Sequence, residues 1–501
     1  MCTMTATLAA PSLLRGDRAL PRYAWLPVFS AMGALLLLLG ATANAYGYHR
    51  DELYFRMLPP AWGYVDQPPL TPLIAHATLA LGDEPWAMHV PAILFAVASV
   101  GIVALITREV GGGALAQGFA AWGYAFGTVT LVMGHSLFTA SLDLIVWPAV
   151  LLFVIRVFTR SQPWWWVVAG VVVGLSMYNK LLIAMLLVGI AAGILIMGPR
   201  RALASWWPYA GIAVALVVGA PNLVYQAVNG WPQLQMGAAL AAEKSGDVRP
   251  LLVPFVLIEL GPLVVPVWIA GIVALLRRKE WRSLRWIPIA FFIVIALVFF
   301  AGSQVYYGYG ILAVVFAIGC VPAADWARRA RWRVGLVIAA IVLDGAVSIL
   351  LSLPVLPVAT SAKTPIGAID QAIRDQVGWP QYVAEIDHVV REGPSSRTAI
   401  IATNYGEAGA LERYLPPGSP PVFSGHNALA SLGEPTASTT RFVFVGAELP
   451  RAEQLFRHCA IEGRLDDLVG MDNEEQGQPI AVCTGATVSM NTLMQRLAHL
   501  G

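Results

Sequence analysis

Charge is what this chain has least of. Of its 501 residues only 12% are Asp, Glu, Lys or Arg, about half the share found in soluble globular proteins. Against that, 57% are hydrophobic and the mean hydropathy is +0.66. A water-soluble enzyme of this length is excluded, and the composition is that of a polytopic membrane protein. The net charge of +2 is too small to draw a nucleic acid. Cysteine is scarce as well, with 4 residues, and no Cys or His spacing has the form of a zinc site. No glycine-rich phosphate loop follows a strand, and no internal repeat stands out. Cys2 is terminal and Cys320 lies in an apolar run. Cys459 and Cys483 lie in a polar segment, and they can pair if that segment faces an oxidising compartment.

What the chain does have is long apolar runs. A membrane span needs about 20 mostly apolar residues. About eleven candidates satisfy this: 23–45, 86–107, 114–133, 142–159, 164–179, 181–198, 207–226, 251–276, 287–301, 309–323 and 334–353. Several are short, so neighbours can merge or turn back. "GGG" at 111–113 reads as a turn between spans, and "GVVVG" at 170–174 as a close helix-packing surface.

Basic residues set the orientation. With the N-terminus inside, the inner segments hold Arg15, Arg18, Arg22, Arg108, Arg156, Arg160, Arg200, Arg201 and the clusters at 277–285 and 328–333. The outer loops hold only Arg50, Arg56, Lys180, Lys244 and Arg249. This predicts a cytoplasmic segment 1–22, a membrane domain 23–353 and an outer C-terminal part. "ATANA" at 41–45 has the small residues of a signal-peptidase site, but the first span is read as retained. Beyond residue 354 the composition turns polar. "TAIIA" (398–402), "RFVFVG" (441–446) and "PIAVC" (479–483) read as strands, while "QYVAEIDHVV" and "EAGALERY" read as helices. The pattern predicts a small α/β domain over 354–501.

The chemistry-bearing residues gather at the outer ends of the spans. The first outer loop, 46–85, is long and opens with His49, Arg50, Asp51 and Glu52. Its "LYFRMLPPAWGYV" stretch reads as an interfacial helix with Tyr54, Phe55 and Trp62 at headgroup depth. Asp143 enters the fourth span, Lys180 divides the fifth from the sixth, and "SQVYYGYG" (303–310) ends the ninth. Each has a plainer reading: a solvated helix cap, a hairpin lysine, an aromatic belt. Together they place Asp51, Glu52, Asp143, Lys180, Gln304, Tyr306 and Tyr307 on one face. That set suits attack by a hydroxyl or amine on a phosphate-activated carbon. A carboxylate takes the proton, and a cation and phenols hold the leaving phosphate.

At these residues the chain resembles the GT-C-type membrane glycosyltransferases, in particular the family 39/83-like bacterial enzymes that include aminoarabinose transferases and protein O-mannosyltransferase relatives. The resemblance rests on "RDELYF", "GYVDQPPL", "SLDLIVWP", "YNKLL" and "SQVYYGYG" in order over about residues 23–325. It implies a cell-membrane enzyme that takes a polyprenyl-phosphate sugar donor to a lipid, polysaccharide or protein acceptor on the outer face, with inversion. Asp51 would be the base, with Glu52 and Asp143 as further catalytic carboxylates. Lys180, Tyr306, Tyr307, Gln304 and Arg50 would bind the donor phosphate. The chain departs from the family in having Gln67 and Gln304 where a basic residue is common, with Arg50 or His49 as the available compensation. Some relatives use a divalent metal, but the sequence supplies no ligand set, so no cofactor is predicted. Asn404, Glu407, His426 and Asn427 stand near turns where they would touch an acceptor or simply cap helices. A transporter or flippase is the alternative, and a membrane scaffold a third reading. A transporter would carry ionisable residues at mid-membrane, whereas here they crowd one face.

Overall fold

The computed structural model describes residues 20–501. Cys2, Arg15, Arg18 and most of the expected segment 1–22 lie outside the described residues. Helix α1 (Trp25–Thr42) is the first apolar run, and α2 (Arg50–Met57) and α3 (Leu70–Thr78) fold the first loop. The membrane part continues with α4 (Pro85–Glu109), α5 (Ala114–Ala125), α6 (Thr128–His135), α7 (Asp143–Thr159) and α8 (Trp165–Ser176). Then come α9 (Ile183–Met197), α10 (Trp207–Val228), α11 (Pro232–Ile258) and α12 (Val265–Arg277). The series closes with α13 (Trp286–Ala301), α14 (Tyr309–Ala327) and α15 (Arg331–Ser352).

Every expected span falls on a helix or a helix pair, but they are not alike. Among the described residues 5 helices are long and apolar enough to cross a membrane alone, and a bent pair, Val248–Ile258 with Pro262–Arg277, meets at 72°. The run 114–133 is broken into α5 and α6. Helix α8 has 12 residues, about 18 Å of helix against a hydrocarbon core of about 30 Å. The "GVVVG" stretch does what its spacing promised. A Cβ on Gly174 would stand 2.8 Å from the carbonyl oxygen of Ala215, and one on Gly170 would strike the backbone of Gly211. Helices α8 and α10 therefore touch backbone to backbone.

After α15 the chain builds a five-stranded sheet: β1 (Thr398–Ala402), β2 (Val422–Ser424), β3 (Arg441–Val445), β4 (Phe456–Arg464) and β5 (Pro479–Ala486), in the order β2-β1-β3-β5-β4. Strand β1 runs parallel to β2 and β3, while β5 is antiparallel to β3 and β4. The three expected strands are β1, β3 and β5, and the two expected helices are Trp379–Arg391 and Tyr405–Tyr414. Cys459 on β4 faces Cys483 on β5, and the two form a disulfide.

The first loop does not present its aromatics outward as expected. Tyr54 and Phe55 are buried, and only Trp62 is exposed. Tyr48, Leu53, Tyr54, Phe55 and Leu58 share one hydrophobic core with Trp379, Ile386, Ile400, Leu411 and Val443 of the C-terminal unit. The contact depends on two glycines of helix Tyr405–Tyr414. A Cβ on Gly406 would meet the Arg50 Cβ at 3.0 Å, and one on Gly409 would meet the Leu53 backbone at 2.6 Å. Packing backbone to backbone is what lets α2 sit inside the fold of a unit some 350 residues away in sequence. Gly409→Leu is expected to destabilise this docking by on the order of 1–3 kcal/mol, read as earlier thermal unfolding and faster proteolysis of the C-terminal unit. Gly335→Leu, at a site with nothing within 4 Å, is expected to leave both unchanged.

Candidate active site

Helix α2 begins with a reciprocal cap. The His49 imidazole accepts a hydrogen bond from the Asp51 amide at 3.1 Å, and the Glu52 carboxylate accepts from the His49 amide at 2.9 Å. Glu52 is entirely buried. Its other oxygen accepts from the Leu137 amide at 2.7 Å, and His89 Nε2 lies 3.2 Å from Oε2. The carboxylate expected to be catalytic is therefore committed to joining α2 to α4 and to the segment after α6. Asp51, the neighbouring residue, points the other way into a cavity of about 550 Å³. Its Oδ1 accepts from the Tyr405 hydroxyl at 2.9 Å.

Arg50 also departs from expectation. Its guanidinium does not line the cavity. It pairs with Glu474, with Glu475 at 3.4 Å and with Asp375 at 3.7 Å, and it lies 5.1 Å from the centre of the Tyr405 ring. A buried guanidinium demands counter-charge, and the C-terminal unit supplies it. Arg50 is thus removed from the donor-phosphate set. His49 is spent on capping α2, so neither residue makes up for a missing phosphate ligand. Burial pushes the Glu475 carboxyl up to about 7 despite Arg50 beside it.

The cavity brings together Asp51, Lys180, Gln304, Tyr306 and Tyr307 of the expected set. Lys180 follows α8 in a tight turn. Its ammonium donates to the Thr139 hydroxyl at 3.3 Å and lies 4.5 Å from the centre of the Tyr307 ring. The adjacent Asn179 locks that turn, donating to the Thr139 carbonyl at 2.6 Å and accepting from Thr71 at 2.6 Å. Asp143 is not on the main cavity. It lines a small adjoining void with Tyr306 and Tyr307, behind the phenols.

The walls also hold residues that the sequence reading did not select: Asp66, Tyr405, Gln233 and Lys244. Asp66 lay in the quoted "GYVDQPPL", where the return of the loop delivers a second acid beside the first. Its Oδ1 accepts from the Tyr54 hydroxyl at 2.9 Å. Burial pushes its carboxyl up to about 6, with Asp51 adding to the rise and Tyr54 opposing it. Of the turn residues, Asn427 reaches the cavity. Asn404 and Glu407 form a reciprocal helix cap, and burial pushes Glu407 up to about 8. His426 packs behind Tyr405, with ring centres 4.8 Å apart, and burial pushes its imidazole down to about 3.

Comparison with known proteins bears on the fold. Residues 66–225 match the family model described as dolichyl-phosphate-mannose-protein mannosyltransferase. The structure of ArnT from Cupriavidus metallidurans in the apo state aligns with a TM-score of 0.58 at 14% identity, covering 95% of this chain and 99% of that one. The same protein bound to undecaprenyl phosphate aligns with a TM-score of 0.57 at 13% identity, covering 95% of this chain and 100% of that one. No curated protein sequence matches the chain. The chain has the fold of the ArnT structures, and part of it resembles the mannosyltransferase family. At this level of identity the structural likeness shows the fold alone, and the family match covers less than a third of the chain.

The cavity wall is chemically mixed. It carries the acids Asp51 and Asp66, the amides Asn427 and Gln304, the cations Lys180 and Lys244 and the phenols Tyr306 and Tyr307. Leu181, Leu182, Met185 and Leu240 add apolar wall. Among the described residues no three His, Cys, Asp or Glu side chains gather as a metal-binding group.

Asp66 gives a stability prediction with a definite sign. Its folded pKa lies above the unfolded value, so the stability it contributes is present below about pH 4 and is lost as pH rises through about 6. Asp66→Asn removes the charge that burial penalises. The variant is expected to match the parent near pH 4 and to exceed it at pH 8 by up to about 3 kcal/mol. Thermal unfolding at the two pH values checks this.

Proposed function

We propose that the protein transfers a sugar from a polyprenyl-phosphate donor to an acceptor on the outer face of the membrane, inverting the anomeric carbon. The observation that carries this is the meeting of Asp51 with Lys180, Tyr306 and Tyr307 around one cavity. The Asp51 carboxylate accepts the proton of the acceptor hydroxyl or amine. As the acceptor atom attacks the anomeric carbon, the bond from that carbon to the phosphate oxygen breaks. Charge then grows on the phosphate, where the Lys180 ammonium and the phenols meet it in a partly desolvated site. Gln304 and Gln67 offer neutral amide donors in place of cations. Gln67 is buried and its Nε2 has no partner among the described residues. Asp143, next to Tyr306 and Tyr307, balances the charge of Lys180 from behind. The apolar wall suits the first isoprene units of the lipid.

In this reading the chain crosses the membrane about eleven times over 23–353, with its N-terminus inside and the unit 354–501 outside. The Cys459–Cys483 disulfide supports an oxidising outer face, as does the bias of basic residues toward the inner loops. The acceptor is a lipid, a polysaccharide or a protein, and mass spectrometry of envelope glycans from cells with and without the gene distinguishes these.

The activity is tested with purified protein and a panel of radiolabelled undecaprenyl-phosphate sugars (mannose, glucose, galactose, arabinose, aminoarabinose) in the presence of membrane extract. Wild type is expected to move label from at least one donor. Asp51→Asn is expected to lower that rate at least about a hundredfold. Lys180→Ala is expected to weaken binding of undecaprenyl phosphate itself about ten- to hundredfold. Unchanged turnover by Asp51→Asn removes the proposed base, and no turnover of any donor removes the reaction.

A further inference from the structure

Tyr405 lies 354 residues from Asp51 in sequence, in the C-terminal unit, yet its hydroxyl has a partner among the described residues only in Asp51. Everything around the ring fixes it. Tyr405 opens the helix Tyr405–Tyr414, whose cap is reciprocal: Asn404 Oδ1 accepts from the Glu407 amide at 2.8 Å, and the Glu407 carboxylate accepts from the Asn404 amide at 3.1 Å. The Tyr405 amide donates to His426 Nδ1 at 3.3 Å. Its ring lies 4.9 Å from Tyr54 and 4.8 Å from His426, which stacks on His499 at 4.4 Å. The Arg50 guanidinium covers it from a further side.

A ring held this tightly fills space as well when it is phenylalanine, so the hydroxyl calls for a separate explanation. It occupies Asp51 Oδ1 and leaves Oδ2 without a partner among the described residues. Asp51 stands in the second turn-position of α2, with its side chain about 29% exposed, and a carboxylate that exposed is free to rotate unless something holds it. Tyr54 repeats the arrangement one turn later. Its hydroxyl accepts from the Ala428 amide at 3.2 Å and donates to Asp66. Both cavity carboxylates are therefore tied to the C-terminal unit through a phenol.

We infer that Tyr405 is a positioning residue for Asp51, so that sugar transfer requires the C-terminal unit to be seated on α2. This rests on the reading of Asp51 as the base. The hydrogen bond holds Oδ1 and presents Oδ2 to the acceptor proton. The unit is part of the catalytic centre and not an appendage beside it.

The test uses the full-length protein and the panel donor that wild type turns over. Tyr405→Phe keeps the ring and removes the hydroxyl. It is expected to lower kcat about ten- to hundredfold. The donor KM, the affinity for undecaprenyl phosphate and the thermal midpoint are expected to stay as in wild type. In an Asp51→Asn background the same change is expected to have no further effect on the residual rate, because the two residues act as one unit. Tyr405→Phe with wild-type kcat overturns the inference, provided that Asp51→Asn is inactive. A fall in kcat accompanied by an equal loss of undecaprenyl phosphate binding and a lower thermal midpoint also overturns it, since that pattern marks a purely structural role. Full activity of Asp51→Asn instead removes the base itself, a separate failure of the function proposed above.

Discussion

The structure turns on the contact between α2 and the helix Tyr405–Tyr414. Helix α2 is only 8 residues long, too short to hold its shape alone in water. It is stabilised by its cap and by burial. Leu53, Tyr54 and Phe55 are inserted into the core of the C-terminal sheet unit, and Gly406 and Gly409 remove the side chains that would keep the two helices apart. Since α2 carries Asp51, the geometry of the cavity is set by a contact between segments remote in sequence. The loop is long because it must leave the membrane, be built into another unit and return.

Electrostatics reinforces the same contact. Burying Arg50 without partners would cost several kcal/mol. Glu474, Glu475 and Asp375 surround it, so the charge is tolerable only while the C-terminal unit is in place. At the other end of α2, Arg56 pairs with Asp83 at 2.7 Å and with Glu412, and Arg413 lies 3.4 Å from Asp83. These pairs are less buried and individually worth less. Their value is in register: each end of α2 is fixed to the same partner helix or to the carboxylates beside it. A rotation of α2 about its axis would break both sets together.

Much of this was legible in the sequence, and the misses have physical causes. Span locations and the strands β1, β3 and β5 follow from uninterrupted apolar runs. Strand β2 has 3 residues, and β4, "FRHCAIEGR", is a mostly exposed edge strand. Neither shows a hydrophobic pattern, so neither was found. The loop acids were singled out as a pair, but Asp51 and Glu52 are consecutive on a helix. Consecutive side chains diverge by about 100°, so one faced the cavity and the other the protein interior. Tyr54 and Phe55 were assigned to lipid because an aromatic-rich amphipathic stretch after a span looks the same whether its apolar face meets lipid or protein. Arg50 was assigned to phosphate because nothing local reveals three acids some 325 to 425 positions later. Tyr405 was missed for the same reason: its capping motif was visible, but its partner was not.

The mixed lining of the cavity follows from this construction. One of its lysines and two of its phenols come from membrane helix ends: Lys180 after α8, and Tyr306 and Tyr307 before α14. These positions are set by packing such as the glycine contact of α8 with α10. Its carboxylates Asp51 and Asp66 come from the first loop, held by phenols that contact or belong to the C-terminal unit. In the proposed reaction a donor phosphate would need fixed positive charge, which Lys180 at a helix end would supply. A carboxylate that must accept a proton needs a definite orientation and partial shelter from water, which a short exposed loop cannot provide unaided. Covering that loop with a folded unit supplies both. If the proposed reaction holds, the C-terminal unit would thus meet a chemical requirement that the membrane helices alone leave unmet.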